Sequence, residues 1–220
     1  MKYKYTLLIS LVLNLVLLAA LAFKYTSEAN TSNNEESTKI VKLKETDSIT
    51  IVMLGNSITA AGSWKKVLQR DDVFNGGMPG WTTEQLSWVI KDFVIPNNPK
   101  LCFFKGGIND YTLGITTNRI FQNICSNLDS IKNVGTVPVY TTTLYQKNMD
   151  YRNRQIDSLN DRMLDFCKKR NYDFVDLRPY LCKDGDILSE YVQDDGTHLR
   201  PEAYPEWAKA IQPVIEKYGL

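Results

Sequence analysis

Ile51-Val52-Met53-Leu54-Gly55-Asn56-Ser57-Ile58-Thr59 is the stretch on which the reading of this chain turns. Its first four residues are apolar and include β-branched types, the pattern of a buried strand. Gly55 interrupts the run and frees the backbone to turn sharply. Ser57 follows two residues later between polar neighbours. In open α/β sheets, ligands bind outside the carboxyl ends of the strands. Ser57 therefore stands where a reactive group would be placed. A serine that merely caps the next helix is the competing reading, and the stretch alone does not choose between them.

Outward from this point, apolar runs alternate with helical periodicity. A helix is expected over 60–70, with Trp64, Val67 and Leu68 on one face. A short strand follows at Val73-Phe74-Asn75, then the loop Gly76-Gly77-Met78-Pro79-Gly80. The next helix opens at Thr82 or Thr83, buries Leu86, Val89, Ile90 and Phe93, and ends at Pro96. Leu101 to Phe104 reads as a strand, Thr117 to Lys132 as a helix, Val137 to Thr141 as a strand and Gln155 to Arg170 as an amphipathic helix. Tyr172 to Leu177 is a further strand, and a last helix begins near Pro201 and runs to about Tyr218. Strands and helices alternate about five times, with no hairpin signal between consecutive strands. That pattern predicts a parallel sheet of the α/β class, covered by helices on both faces.

Composition narrows the function. The formal net charge is +1, which gives no basis for a nucleic-acid partner. With twelve tyrosines and four tryptophans the chain can build a core without disulfide staples. The four cysteines, Cys102, Cys125, Cys167 and Cys182, contain no CxxC pair, so zinc and thioredoxin-like chemistry are not expected. A Cys167–Cys182 bridge is open as an option in an oxidising compartment. His198 is the single histidine, which excludes a multi-histidine metal site but leaves one imidazole for a general base.

Lys2 and Lys4 precede an uncharged run from Thr6 to Phe23, and Ala20-Leu21-Ala22 resembles a cleavage site. Residues 1–26 are expected to be a signal peptide or an N-terminal membrane anchor acting through residues 6–23. Residues 27–39 are polar and are expected to be a disordered linker. The folded domain is expected over 40–220, exported to the periplasm or cell envelope, tethered or secreted.

Chemistry gathers at four places. A serine nucleophile needs a base, and the base needs a group that fixes its tautomer. Asp195 and His198 lie three residues apart across Gly196-Thr197, close enough to bond locally. Acyl transfer also needs fixed hydrogen-bond donors for the oxyanion. Gly77 could offer a bare backbone N–H and Asn109 an uncharged side-chain N–H, since both follow strand ends. Taken singly, each of these is an ordinary turn residue.

Together, Gly55-Asn56-Ser57, the Asn75 to Gly80 loop, Gly107-Ile108-Asn109-Asp110 and Asp195-Gly196-Thr197-His198-Leu199 resemble the four sequence blocks of the SGNH (GDSL-type) hydrolases. The resemblance covers about residues 48 to 217. It implies a three-layer α/β/α sandwich of flavodoxin-like arrangement. It implies Ser57 as nucleophile, His198 as general base and Asp195 as its orienter. The oxyanion hole would comprise the Ser57 and Gly77 backbone N–H groups and the Asn109 side chain. Two-step ester hydrolysis follows, with no metal and no organic cofactor. Asn56 stands where the family often has aspartate, and Ala203-Tyr204 where many members have Gly-Tyr. Thr59 breaks the G-x-S-x-G elbow of the α/β-hydrolases.

The resemblance allows many esters, among them acetylated sugars, short acyl chains, lysophospholipids and thioesters. Trp81, Tyr111, Tyr145 and Gln146 lie near strand ends and are candidates for the walls of a substrate pocket. Short loops favour an open site and a small acyl group. The first expectation is therefore O-deacetylation of a small-molecule or glycan ester. The alternatives are lysophospholipase or arylesterase activity, or an inactive glycan-binding envelope module.

Overall fold

The computed structural model describes residues 48–220. The expectations for residues 1–26 and 27–39, and for the first residues of the domain, lie outside the described residues.

Five parallel strands form the centre: β1 (Ile51–Gly55), β2 (Val73–Gly77), β3 (Leu101–Lys105), β4 (Val137–Thr141) and β5 (Asp173–Val175). Their spatial order is β2-β1-β3-β4-β5. Every residue of β1 and β3 is buried, as expected where helices cover both faces of a parallel sheet. The register pairs Gly55 with Gly77 on one side and with Lys105 on the other. Three carboxyl ends are thereby brought level. The strand order reverses between β1 and β3, and the crevice at such a reversal is where open α/β sheets place their ligands.

The longer helices follow their apolar stripes. On α5 (Thr117–Asn133), Ile120, Ile124, Leu128 and Ile131 are fully buried. On α6 (Asp150–Arg170) the buried set is Ile156, Leu159, Met163 and Cys167. The last helix, α8 (Ala203–Lys217), buries Tyr204, Trp207, Ile211 and Ile215. Trp207 meets Trp64 edge-on at 4.8 Å, tying α8 to α2 (Trp64–Leu68).

Several elements differ from expectation. The helix expected over 60–70 is confined to α2, and a separate short α1 (Ser57–Ala60) precedes it; Gly62 between them packs under the Trp64 ring, where a Cβ would lie 2.5 Å from it. The helix expected from Thr83 is α helix only over α3 (Thr83–Leu86), then tightens into a 3₁₀ turn (Ser87–Val89) and widens into a π turn (Ile90–Val94). Helix α6 starts five residues earlier than periodicity indicated. Three short elements carried no clear periodic signal. They are α4 (Ile108–Thr112), α7 (Arg178–Leu181) and the antiparallel pair β6 (Cys182–Lys183) and β7 (Asp186–Ile187). All four thiols are free, so the Cys167–Cys182 bridge is not formed.

Lys105 ends β3 almost completely buried, with no hydrogen-bond partner for Nζ, which lies 5.6 Å from the Trp207 ring centre. Burial disfavours its charged form and lowers its pKa to about 7. The unfolded chain keeps this proton up to about the ordinary lysine value of ~10.4, whereas the native state releases it near neutrality. The unfolded state therefore binds more protons between these limits, and stability should rise with pH there. The slope has an upper bound of about 1.4 kcal/mol per pH unit. Urea melts across this window should show the rise in wild type and a flatter profile, from a higher starting stability, in Lys105→Met.

Candidate active site

The nucleophile turn is built by close packing. A Cβ on Gly55 would stand 2.2 Å from Thr59 Oγ1 and 2.6 Å from the Lys105 carbonyl oxygen, so only glycine fits. Asn56 caps α1, its Oδ1 accepting from the Ile58 N–H at 3.2 Å. Ser57 is the first residue of α1, and its N–H has no intrahelical acceptor. Two aromatic side chains pin the turn from outside. Tyr204 donates its hydroxyl to the Ile58 carbonyl at 2.8 Å, and Trp64 Nε1–H donates to the Thr59 carbonyl at 2.8 Å.

His198 arrives on the loop before α8. Its Nε2 lies 2.9 Å from Ser57 Oγ, and its Nδ1 lies 2.5 Å from Asp195 Oδ2. The Asp195 Oδ1 accepts from the backbone N–H groups of Thr197 and His198, each at 2.9 Å. Partial desolvation pushes the Asp195 pKa up. The two backbone donors and the imidazole outweigh it and bring the value down to about 2. A carboxylate held ionised beside Nδ1 keeps the imidazole proton on that nitrogen and leaves Nε2 to accept from Ser57. Gln146 Nε2 donates to Thr197 Oγ1 at 2.8 Å, and the Lys147 N–H donates to the Gly196 carbonyl at 2.8 Å, so the β4–α6 connection braces the histidine loop. The His198 and Asp195 side chains are 41% and 49% exposed, which makes this an open site rather than a tunnel.

On the other side of Ser57, Gly107 adopts φ +111° and launches α4, which carries Asn109 and Asp110. Asn109 Nδ2 donates one hydrogen to the Trp81 carbonyl at 2.8 Å, leaving its second N–H free. Asp110 is fully buried. Its carboxylate accepts from the Thr83 N–H at 2.9 Å and from the Thr83 hydroxyl at 2.5 Å. Burial raises its pKa against the pull of these bonds. Two consecutive residues of α4 thus hold the 81–83 segment.

Gly77 is a correction. Its N–H donates to Asn75 Oδ1 at 3.0 Å, and a Cβ there would strike the Ala60 backbone at 2.2 Å. Its glycine serves packing, and its donor is already taken. Gly80, three residues on, adopts φ +80°, has open space around its Cα and makes no hydrogen bond through its N–H among the described residues. It adjoins Trp81, which Asn109 holds. Gly80 is therefore the better placed backbone donor, and sequence reasoning missed it because neighbouring glycines look alike until their hydrogen bonds are known.

The suggested pocket walls also divide. Trp81 is partly buried and meets the exposed Trp88 edge-on at 6.0 Å. Trp88 sits on the outward side of the 82–94 segment, where a search for core positions passes over it. Tyr111 is buried, and its hydroxyl bonds Thr117 Oγ1 at 3.1 Å and the Gln155 carbonyl at 3.0 Å, away from Asn109. Tyr145 is buried too and donates to Asp157. Gln146 braces the histidine loop. Tyr145 and Gln146 are thus structural neighbours of the site, and Tyr111 turns toward a different cavity beside the start of α5. Among the described residues, no cluster of three metal-ligating side chains occurs.

Comparison with known proteins gives a consistent picture. The GDSL-like Lipase/Acylhydrolase family model matches residues 47–205. An arylesterase of Vibrio mimicus is 25% identical over 182 residues, covering 76% of this chain and 88% of the relative. An N-acylneuraminate cytidylyltransferase of Streptococcus agalactiae is 25% identical over 156 residues, and the chain spans only 35% of that relative's length. A GDSL-like lipase from Bacteroides thetaiotaomicron superimposes with a TM-score of 0.68 at 24% identity, covering 77% of this chain and 89% of the other. A lipase/acylhydrolase from Enterococcus faecalis gives 0.65 at 25% identity, covering 77% and 95%.

Asp110→Asn should loosen the 81–83 segment, since an amide cannot accept two Thr83 donors with both atoms. A loss of about 1–3 kcal/mol is expected in denaturant melts. Amide exchange at Thr83 should speed up as well.

Proposed function

Because the chain belongs to the GDSL-like lipase/acylhydrolase family, we propose that it is a serine esterase that removes small acyl groups, acetyl foremost, from carbohydrate esters outside the cytoplasm. The observation that carries the reading is the unbroken line Ser57 Oγ, His198 Nε2, His198 Nδ1, Asp195 Oδ2, with steps of 2.9 and 2.5 Å.

In this mechanism Ser57 Oγ attacks the acyl carbonyl as its proton passes to His198 Nε2. The carbonyl oxygen takes up negative charge and meets the N–H groups of Ser57, Gly80 and the Asn109 side chain. His198 then returns the proton to the departing alcohol, leaving an acyl-Ser57 ester. Water, deprotonated by His198, attacks that ester and releases the acid. Asp195 stays ionised throughout and stabilises the imidazolium.

The openness of the triad and the short loops around it favour a small acyl group. The exposed Trp88 beside Trp81 offers an aromatic face on which a sugar ring can stack. The streptococcal relative is named for chemistry on N-acylneuraminate, a carbohydrate. Export rests on Lys2, Lys4 and the apolar run Thr6 to Phe23. The second reading is an arylesterase, favoured by the Vibrio mimicus relative.

Purified protein should hydrolyse p-nitrophenyl acetate, and Ser57→Ala should lose the rate by ~10³-fold or more. Equal rates in the two proteins would refute the esterase. With Asp195 brought down to about 2, protonation of this carboxylate should leave no break in log kcat/KM above about pH 3. An acetylated xylo- or chito-oligosaccharide should be turned over with a kcat/KM above that of phenyl acetate. The reverse order would favour the arylesterase.

A further inference from the structure

Tyr111 of α4, two residues from Asn109, borders a cavity of about 540 Å³. That volume is in the range of small-molecule sites. Tyr111 forms one wall and the start of α5 another. Along α6, Tyr151, Arg152, Gln155, Ser158 and Arg162 face it, at spacings that share one side of a helix.

Charge sets this cavity apart. The chain has eight arginines. Arg70, Arg119, Arg170, Arg178 and Arg200 each pair with a carboxylate. Arg152, Arg154 and Arg162 have no carboxylate partner among the described residues. Arg154 packs on Tyr151 at 6.0 Å outside the cavity lining, while Arg152 and Arg162 line the cavity, where no acidic side chain occurs. Their supports are neutral. The Arg152 guanidinium lies 5.1 Å from the Tyr111 ring centre, and its Nε is buried without an acceptor. Arg162 lies 4.1 Å from the Phe121 ring centre and donates to Asn118 Oδ1 at 2.9 Å. A buried guanidinium N–H without an acceptor, as at Arg152, is costly. Two arginines without carboxylate partners beside one cavity make a place for a bidentate oxyanion. Helix α5 adds to this, since no acidic residue occupies its first turn. Tyr151, 70% exposed, gives an aromatic face at the rim.

We propose that Arg152 and Arg162 bind the carboxylate of an acidic sugar in this cavity, so that the preferred ester is a glycan carrying negative charge. The proposal rests on the glycan-esterase reading for its substrate, though not for the binding itself. Tyr111 and Asn109 lie two residues apart on α4, which places the two sites on one short helix. A bound acidic sugar would therefore stiffen the element that also presents an oxyanion donor.

Titration calorimetry of the full chain with methyl glucuronide, neutral methyl glucoside and inorganic phosphate tests this. Saturable binding of the glucuronide is expected, with the glucoside at least ~10-fold weaker. Arg152→Gln and Arg162→Gln should each weaken the glucuronide about tenfold or more. Their melting temperatures and p-nitrophenyl acetate rates should stay close to wild type. On an O-acetylated oligosaccharide that carries a glucuronate residue, the same variants should raise KM and leave kcat largely intact. No saturable heat with glucuronide, undiminished affinity in both variants, or phosphate binding more tightly than glucuronide would each overturn the proposal. Failure of wild type on p-nitrophenyl acetate would instead sink the esterase reading while leaving the calorimetric result standing.

Discussion

The 2.9 Å contact between Ser57 Oγ and His198 Nε2 joins residues 141 positions apart. Every larger feature of the fold bears on keeping it short. Strand β1 fixes one end, because its residues are buried on both faces and cannot shift without opening the core. Helix α8 and the loop before it fix the other end. Tyr204 bridges the two directly by bonding the Ile58 carbonyl. A hydrogen bond between side chains is worth only about 0.5–1.5 kcal/mol net. This one cannot hold the fold together, so the fold must hold it.

The same logic separates rigid from adaptable parts of the site. Asp195 grips its own loop through two backbone N–H groups before it reaches His198, so the orienter is itself oriented. Asn109 and Asp110 do the corresponding work on the far side, binding Trp81 and Thr83. Preorganised donors of this kind need no rearrangement when charge develops on a bound carbonyl. The aromatic pair Trp81 and Trp88 stands at the surface of this frame, where changes of side chain would alter what is recognised with little effect on the frame.

Polar burial away from the triad follows a different pattern. Lys105 ends the central strand without a partner, and its neutral form is what the interior tolerates. Arg152 and Arg162 sit beside open volume instead of in the core. The contrast is physical. A lysine can shed its charge to be buried, whereas an arginine needs an aromatic face, a solvent path or an anion.

The alternation of strands and helices, most helix faces and the candidacy of Ser57, Asp195, His198 and Asn109 were legible in the sequence. They depend on local periodicity, on glycine at sharp turns and on a single histidine, all of which are written one residue at a time. The tertiary structure alone decided three further matters. It showed that the Gly77 donor is spent on Asn75 and that Gly80 is free, since a backbone N–H is assigned only when its acceptor is known. It made Tyr145 and Gln146 braces and set Tyr111 in the wall of a different cavity, since an aromatic near a strand end can face either way. It also gathered Arg152 and Arg162 around Tyr111, because the α5–α6 contact that shapes their cavity joins segments with no shared sequence signal.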